Sequence, residues 1–213
     1  MASVNLRNDV IEENIQDSFL KYGKRLYKKR KTPIFNQGQA GEGIYYLHQG
    51  LVKIVTFSSN GNERILDIPK PGQFIGEQVM DQRFYFSSAY TIEDSVIYYF
   101  PLQKIQQIIN HSPEVNLLVI NSMIHKIRLL ASNIMLSSFS AEQRIAAALL
   151  DIYNGNQSKP ILITQQDLAN YVGLTRITVY KILKDMKQDK IIDIKNRTIF
   201  IERPDMLEKF MEL

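Results

Sequence analysis

Two periodicities divide the chain. From residue 26 to 100, short runs rich in Ile, Tyr, Val and Phe (44–47, 51–57, 64–68 and 88–100) are punctuated by Gly38, Gly50, Gly61 and Gly72, at intervals of 12, 11 and 11 residues. Short strands between evenly spaced turns predict a β-sandwich or barrel. Asn60-Gly61 is the sharpest hairpin signal, because both residues accept positive φ. Ahead of this block, residues 1–20 carry a weak helical pattern in Val10, Ile11, Ile15 and Phe19.

Behind it the period becomes helical. Pro113 suits a first helical turn, where its missing N–H has no intrahelical role. Leu117, Ile120, Ile124, Ile127, Ala131 and Ile134 follow at spacings of 3, 4, 3, 4 and 3. That is a heptad seam, on a helix predicted over 113–136 and about 36 Å long. Val119, Met123 and Leu130 add a second strip. A helix apolar on two sides buries both, here one against the barrel and one against the same helix of a second copy. The seam therefore predicts a homodimer, with a core helix of a monomer as the alternative. The pattern breaks at Ser137-Ser138-Phe139-Ser140, a hinge, and resumes as a helix over 141–153 that ends in an Asn154-Gly155-Asn156 loop. The expected organisation is a strand-rich domain with an N-terminal helix over 1–112, a dimerisation helix and hinge over 113–138, and a compact C-terminal domain over 139–213.

The last block has the order helix, tight turn, helix, hairpin. Thr164 caps a helix with Asp167 in its first turn, and Leu168 and Val172 form its apolar face. Gly173 stops it as a left-handed C′ residue. Ala169 sits where two steeply crossing helices need a small side chain. Thr175 caps a second helix running to about 190, with Val179, Ile182, Leu183 and Met186 inward. Two short strands, 191–194 and 198–201, flank Lys195-Asn196-Arg197. Arg176, Ile177, Thr178, Tyr180, Lys181 and Lys184 lie near the start and along the outer side of the second helix. In such motifs that segment enters the major groove. Arg176 and Lys181 are candidates for base edges, and Thr164, Thr175, Lys195 and Arg197 for phosphate. Charge alone does not decide this, because the net charge is only +4; the arrangement of the motif does.

The stretch ITQQDLANYVGLTRITVYKILKDMKQDKII, with GIYYLHQGLVKIV and GNERILDIPKPGQFIGE before it, resembles the cyclic-AMP receptor protein / fumarate–nitrate regulator (CRP/FNR) superfamily over about residues 20–210. The resemblance implies an α+β chain: an N-terminal β-roll, cupin-like and of the cyclic-nucleotide-binding type, a long dimerisation helix and a C-terminal winged helix-turn-helix. It also implies allosteric control of DNA binding by an effector, and contact with RNA polymerase if the protein is an activator.

Three departures from the family pattern sharpen the reading. Gly76-Glu77 matches the family's ribose-binding pair, but Ser87-Ser88-Ala89 puts Ser87 where an arginine would neutralise a cyclic phosphate. A hydroxyl does not replace a guanidinium there. Leu129 and Leu130 stand where a polar pair would read adenine. Both changes argue against cyclic AMP, and Phe84, Tyr85 and Phe86 beside the expected pocket point to a small apolar or aromatic effector bound among Gly76, Glu77, Phe84, Phe86, Ser87, Ser88, Leu129 and Leu130. The second departure is the absence of cysteine, which excludes a cysteine-ligated iron–sulfur cluster and thiol redox sensing. The third is Ile177, in place of a glutamate that would accept from cytosine N4; isoleucine suits a thymine methyl instead.

Other features bound the function without redirecting it. The chain has three histidines, His48, His111 and His125. His48 falls in a turn and is expected to be exposed. His125, next to the seam, keeps a haem- or metal-dependent sensor as an alternative, beside a constitutive DNA binder whose pocket is filled by its own side chains. No metal site is assigned and no cofactor is certain. No acid, base and nucleophile cluster and no phosphate loop occurs at motif spacing, so the chain reads as a regulator and not an enzyme. A cyclic-nucleotide-dependent signalling module is the rival from another class. The segment 115–136 is too polar to cross a membrane and no signal peptide opens the chain, which points to the cytoplasm. A basic run, Lys21, Lys24, Arg25, Lys28, Lys29, Arg30 and Lys31, reads first as a solvated edge.

Overall fold

The computed structural model describes residues 19–136, 138–155, 160–196 and 198–211. The described chain gathers into two compact units, one holding its residues up to Leu51 together with Pro71–Ile127, the other holding Val52–Lys70 and Arg128 onward.

In the first unit, β1 (Lys24–Lys28), β8 (Ser95–Pro101), β3 (Gly43–Gln49) and β6 (Phe74–Ile75) form an antiparallel sheet in that order. β2 (Pro33–Phe35) pairs with β7 (Ser88–Thr91). The strand block expected over 88–100 is thus two strands. Phe19, Tyr46, Phe74 and Phe100 pack edge-on and tilted in the core, with ring centroids 5.2 to 6.5 Å apart, the geometry that aromatic quadrupoles favour. Phe19 is the one described member of the expected N-terminal helical pattern; Val10, Ile11 and Ile15 lie outside the described residues. Helix α1 (Leu102–His111), which the sequence reading did not include, buries Ile105 and Ile108.

The long helix α2 spans Pro113–Leu136, the bounds that proline and the heptad predicted. Its buried side is Val115, Val119 and Ser122. Leu117, Ile120, Ile124, Ile127 and Ile134 are exposed, Ile127 to 65% and Ile134 to 75%, and Ala131 is exposed with them. In the second apolar strip Met123 is half-buried and Leu130 exposed. One chain therefore satisfies one side of the helix and leaves the seam bare.

The second unit contains the hairpin of β4 (Val52–Phe57) and β5 (Glu63–Asp67), turned at Asn60-Gly61 with Gly61 at φ 77. Its helical part is α3 (Ala141–Gly155), α4 (Gln165–Val172), α5 (Arg176–Gln188) and α6 (Pro204–Lys209), with the hairpin β9 (Ile192–Lys195) and β10 (Thr198–Ile201) between α5 and α6. Ile161 adds a bridge to Ile199. Ile145, Leu149, Leu168, Val179, Leu183 and Leu207 are buried as its core. No helix among the described residues is long and apolar enough to cross a membrane.

Candidate nucleic-acid interface and sensory corner

Local chemistry sets both helices of the reading unit. Thr164 is extended (φ −76, ψ 155), and its Oγ1 accepts from the Asp167 N–H at 3.0 Å. Thr175 repeats the device with the Thr178 N–H at 3.2 Å. Each cap is worth about 1 kcal/mol. Gly173 closes α4 at φ 70, where any other L-residue would be strained. Ala169 is buried, at the position expected for a small side chain. The helix-turn-helix is therefore fixed at both starts and at its turn.

On α5, Arg176, Tyr180 and Lys184 fall four residues apart along one line, with Ile177 and Lys181 beside them. All five are exposed, Ile177 to 69%. Arg176, Lys181 and Lys184 enter no ion pair among the described residues. An open groove of about 510 Å³ runs past Thr164, Gln165, Gln166 and Arg176 to Ile194 and Ile199 of the hairpin. Gln165 and Gln166 were not among the expected site residues, although their place directly after the Thr164 cap would have found them.

Two of the expected residues are already engaged within the chain. Thr178 is half-buried and its hydroxyl is engaged with that of Thr175 at 2.9 Å, so it serves the cap. Lys195 is not a free cation: its Nζ lies 2.7 Å from Asp193 Oδ2, while Lys187 holds Oδ1 at 2.9 Å. Hydrogen bonds from Lys195, then Lys187, keep the Asp193 carboxyl far below the usual carboxylate range. Arg197 lies outside the described residues, as does Ser137 of the expected hinge.

The sensory corner is built on Gly76, whose φ of 85 starts a short 3-10 helix (Glu77–Asp81) and turns Glu77 inward. Glu77 is 4% exposed. One of its oxygens accepts from Ser122 Oγ at 2.5 Å, the other pairs with Lys126 Nζ, and Lys126 also donates to the Phe74 carbonyl at 3.0 Å. Ser87 is buried and bonds Gln78 at 3.0 Å, and Ser88 Oγ accepts from the Gln37 N–H at 2.8 Å. Every expected polar effector residue is thus already satisfied by the chain itself.

Of the aromatics expected beside this pocket, Phe84 and Phe86 are 66% and 65% exposed. The buried member of the run is Tyr85, which stacks on Phe35 at 4.1 Å and donates to the Gly43 carbonyl at 2.5 Å. Tyr85 is thus turned inward and both phenylalanines outward. Leu129 is half-buried and Leu130 exposed. His48 lies on β3 and not in a turn, half-buried and edge-on to Tyr98 at 5.7 Å. His125 is half-buried on α2, and no group of three potential metal ligands occurs among the described residues.

Comparison with known proteins fits this architecture. A cyclic nucleotide-binding domain model matches residues 25–112, and a Crp-like helix-turn-helix domain model matches residues 143–210. The chain is 26% identical over 211 residues to the cyclic AMP receptor protein of Thermus thermophilus, covering 98% of this chain and 97% of that one. It is 24% identical to the transcriptional activator protein Anr of Pseudomonas protegens, covering 90% and 81%. In fold it is similar to FixK2 from Bradyrhizobium japonicum (TM-score 0.79, 18% identity, 88% and 96% covered) and to the Thermus thermophilus regulator TTHB099 (TM-score 0.76, 21% identity, 89% and 97% covered). A β-rich cyclic-nucleotide-type domain, a long helix and a Crp-like helix-turn-helix, in that order and over nearly the whole chain, make this protein a DNA-binding transcriptional regulator of the CRP/FNR family.

Proposed function

We propose that the protein works as a homodimer whose two α5 helices read successive major grooves of a near-palindromic operator, with half-site centres about 34–36 Å apart. The observation that carries this reading is the bare outer face of α5, with Arg176 and Lys181 exposed at its start and in no ion pair among the described residues. Arg176 and Lys181 contact base edges, Ile177 meets a thymine methyl, and Tyr180 and Lys184 flank them. The helix starts at Thr164 and Thr175 hold phosphate through backbone N–H groups, since both hydroxyls are engaged in the caps. Lys195 shares Asp193 with Lys187, so the three groups together keep one positive charge for phosphate. Arg176→Ala is expected to weaken operator binding by about 1–3 kcal/mol and to relax preference at one base pair, read by competition binding on single-base operator variants. Uniform weakening on every sequence would make Arg176 a phosphate contact.

Control by an effector other than cyclic AMP is the first reading of the sensory domain. Ser87 supplies no charge for a cyclic phosphate, and Glu77 is held by Lys126 and Ser122. The same self-satisfied corner favours a second reading, a regulator that binds DNA with no small ligand.

A further inference from the structure

The hairpin β4–β5 is tied to the first helix of the reading unit by a polar cluster that lies apart from the exposed face of α5. Lys53 Nζ, on β4, sits 2.6 Å from Asp167 Oδ1 on α4 and 2.8 Å from Glu63 Oε1 on β5, and all three side chains are mostly buried. The same Glu63 oxygen accepts from Asn170 Nδ2 at 3.0 Å. The other Asp167 oxygen accepts from Thr164 Oγ1 at 2.6 Å, and that hydroxyl in turn accepts from the Asp167 N–H. An unbroken chain of contacts therefore runs from Lys53 through Asp167 to the Thr164 cap. Two further contacts fix the same hairpin segment to the unit. Lys70 pairs with Asp151 of α3 at 3.1 Å, and Arg64 lies against the α4–α5 turn, so that a Cβ at Gly173 would be 2.1 Å from its Nη1.

Among the described residues, Lys53 is the only cation paired with the two carboxylates that face each other here. Without it, Glu63 and Asp167 would be like charges drawn from water at close range, which weakens the hold of β5 on α4. Burial opposes the Lys53 charge, but its hydrogen bonds to Asp167 and Glu63 prevail and raise its pKa above the ordinary lysine value. The contact is therefore present through the physiological range and is lost only as pH rises through that raised value.

We propose that Lys53 is a positioning residue for DNA reading: through Asp167 and Glu63 it anchors the β4–β5 hairpin on α4 and holds the Thr164 end of that helix, and the groove beside Arg176, in the geometry that fits the operator. The assignment rests on the DNA-reading role of this unit. It makes the hairpin part of the reading head's scaffold, although Lys53 itself touches no DNA.

The test uses full-length wild type, Lys53→Met and Lys53→Arg, with binding to a selected operator and to unrelated duplex measured across a salt series. Lys53→Met should bind the operator about tenfold more weakly, within the 5–150-fold range of ordinary coupling between sites. Its affinity for unrelated DNA and its salt slope should be unchanged, and Lys53→Arg should restore most of the loss. A slope flattened by about 0.9 would make Lys53 a phosphate contact, and unchanged operator affinity with a lowered unfolding midpoint would make the cluster merely structural; either result overturns the proposal. If Lys53→Met does not fold, Lys53→Gln, which keeps a donor without the charge, takes its place. If wild type binds no DNA at all, the DNA-reading role fails first, and hydrogen exchange of the Gln165–Val172 amides decides the positioning separately: faster exchange in Lys53→Met supports it, unchanged exchange overturns it.

Discussion

Replacing Ile124 and Ile127 with aspartate is expected to convert the protein to a monomer and to weaken binding to a palindromic operator by about 10²- to 10⁴-fold, the factor lost when two linked half-site contacts become one. Both side chains are exposed on the described chain, so aspartate there removes little from the fold of one copy. In a helix pair the same positions place like charges in the apolar seam, where knobs fill holes. Sizing by light scattering beside operator titration checks both halves of the expectation. A variant that stays dimeric, or a monomer that keeps full affinity, would put the interface elsewhere.

Lys126→Met is expected to destabilise the fold by about 3 kcal/mol. Removing one partner of a buried pair leaves the other charge unpaired, at about 3–5 kcal/mol, and the lower end applies because the Lys126 side chain is 28% exposed. Glu77, 4% exposed, would retain only the Ser122 hydroxyl. The double variant Glu77→Met/Lys126→Met should recover most of the loss, because replacing a buried ion pair by apolar groups of similar size is often neutral. Urea unfolding midpoints at constant slope report both values. Cyclic AMP added to wild type should leave the midpoint unmoved, since a ligand that does not bind the native state does not stabilise it. A clear upward shift would mean that the nucleotide displaces Lys126 from Glu77.

How much of this was legible in the sequence depended on the range of the interaction. The start of α2 is set by a proline and its exposed side by a seven-residue repeat, both local, and its bounds were read to the residue. The Thr164 and Thr175 caps and the Gly173 stop are likewise settled within three or four residues. Helix α1 was missed because its ten residues carry only a short apolar stripe between Pro101 and Ser112, too few turns to stand out. The pairing of Glu77 with Lys126 joins positions 49 apart, and that of Lys53 with Asp167 joins positions 114 apart; no periodicity encodes either. One of the local contacts was within reach. Asp193 and Lys195 are two apart on a strand and so share a face, which foretells their ion pair. In Phe84-Tyr85-Phe86 only the middle ring is buried, held by its contacts with Phe35 and Gly43.

The central claim, a dimer reading a near-palindromic operator through α5, is tested most directly by selecting duplexes from random DNA with the purified full-length protein and sequencing what is retained, with and without a small-molecule cell extract. The account predicts an inverted repeat whose half-site centres are one helical turn apart, with a half-site that departs from the family's common one at the base pair facing Ile177 and loses preference at one position in the Arg176→Ala variant. Recovery only with extract would identify an effector-gated regulator, and recovery without it a constitutive one. An unchanged family half-site would contradict the role given to Ile177, and no enriched sequence under either condition would contradict the account as a whole.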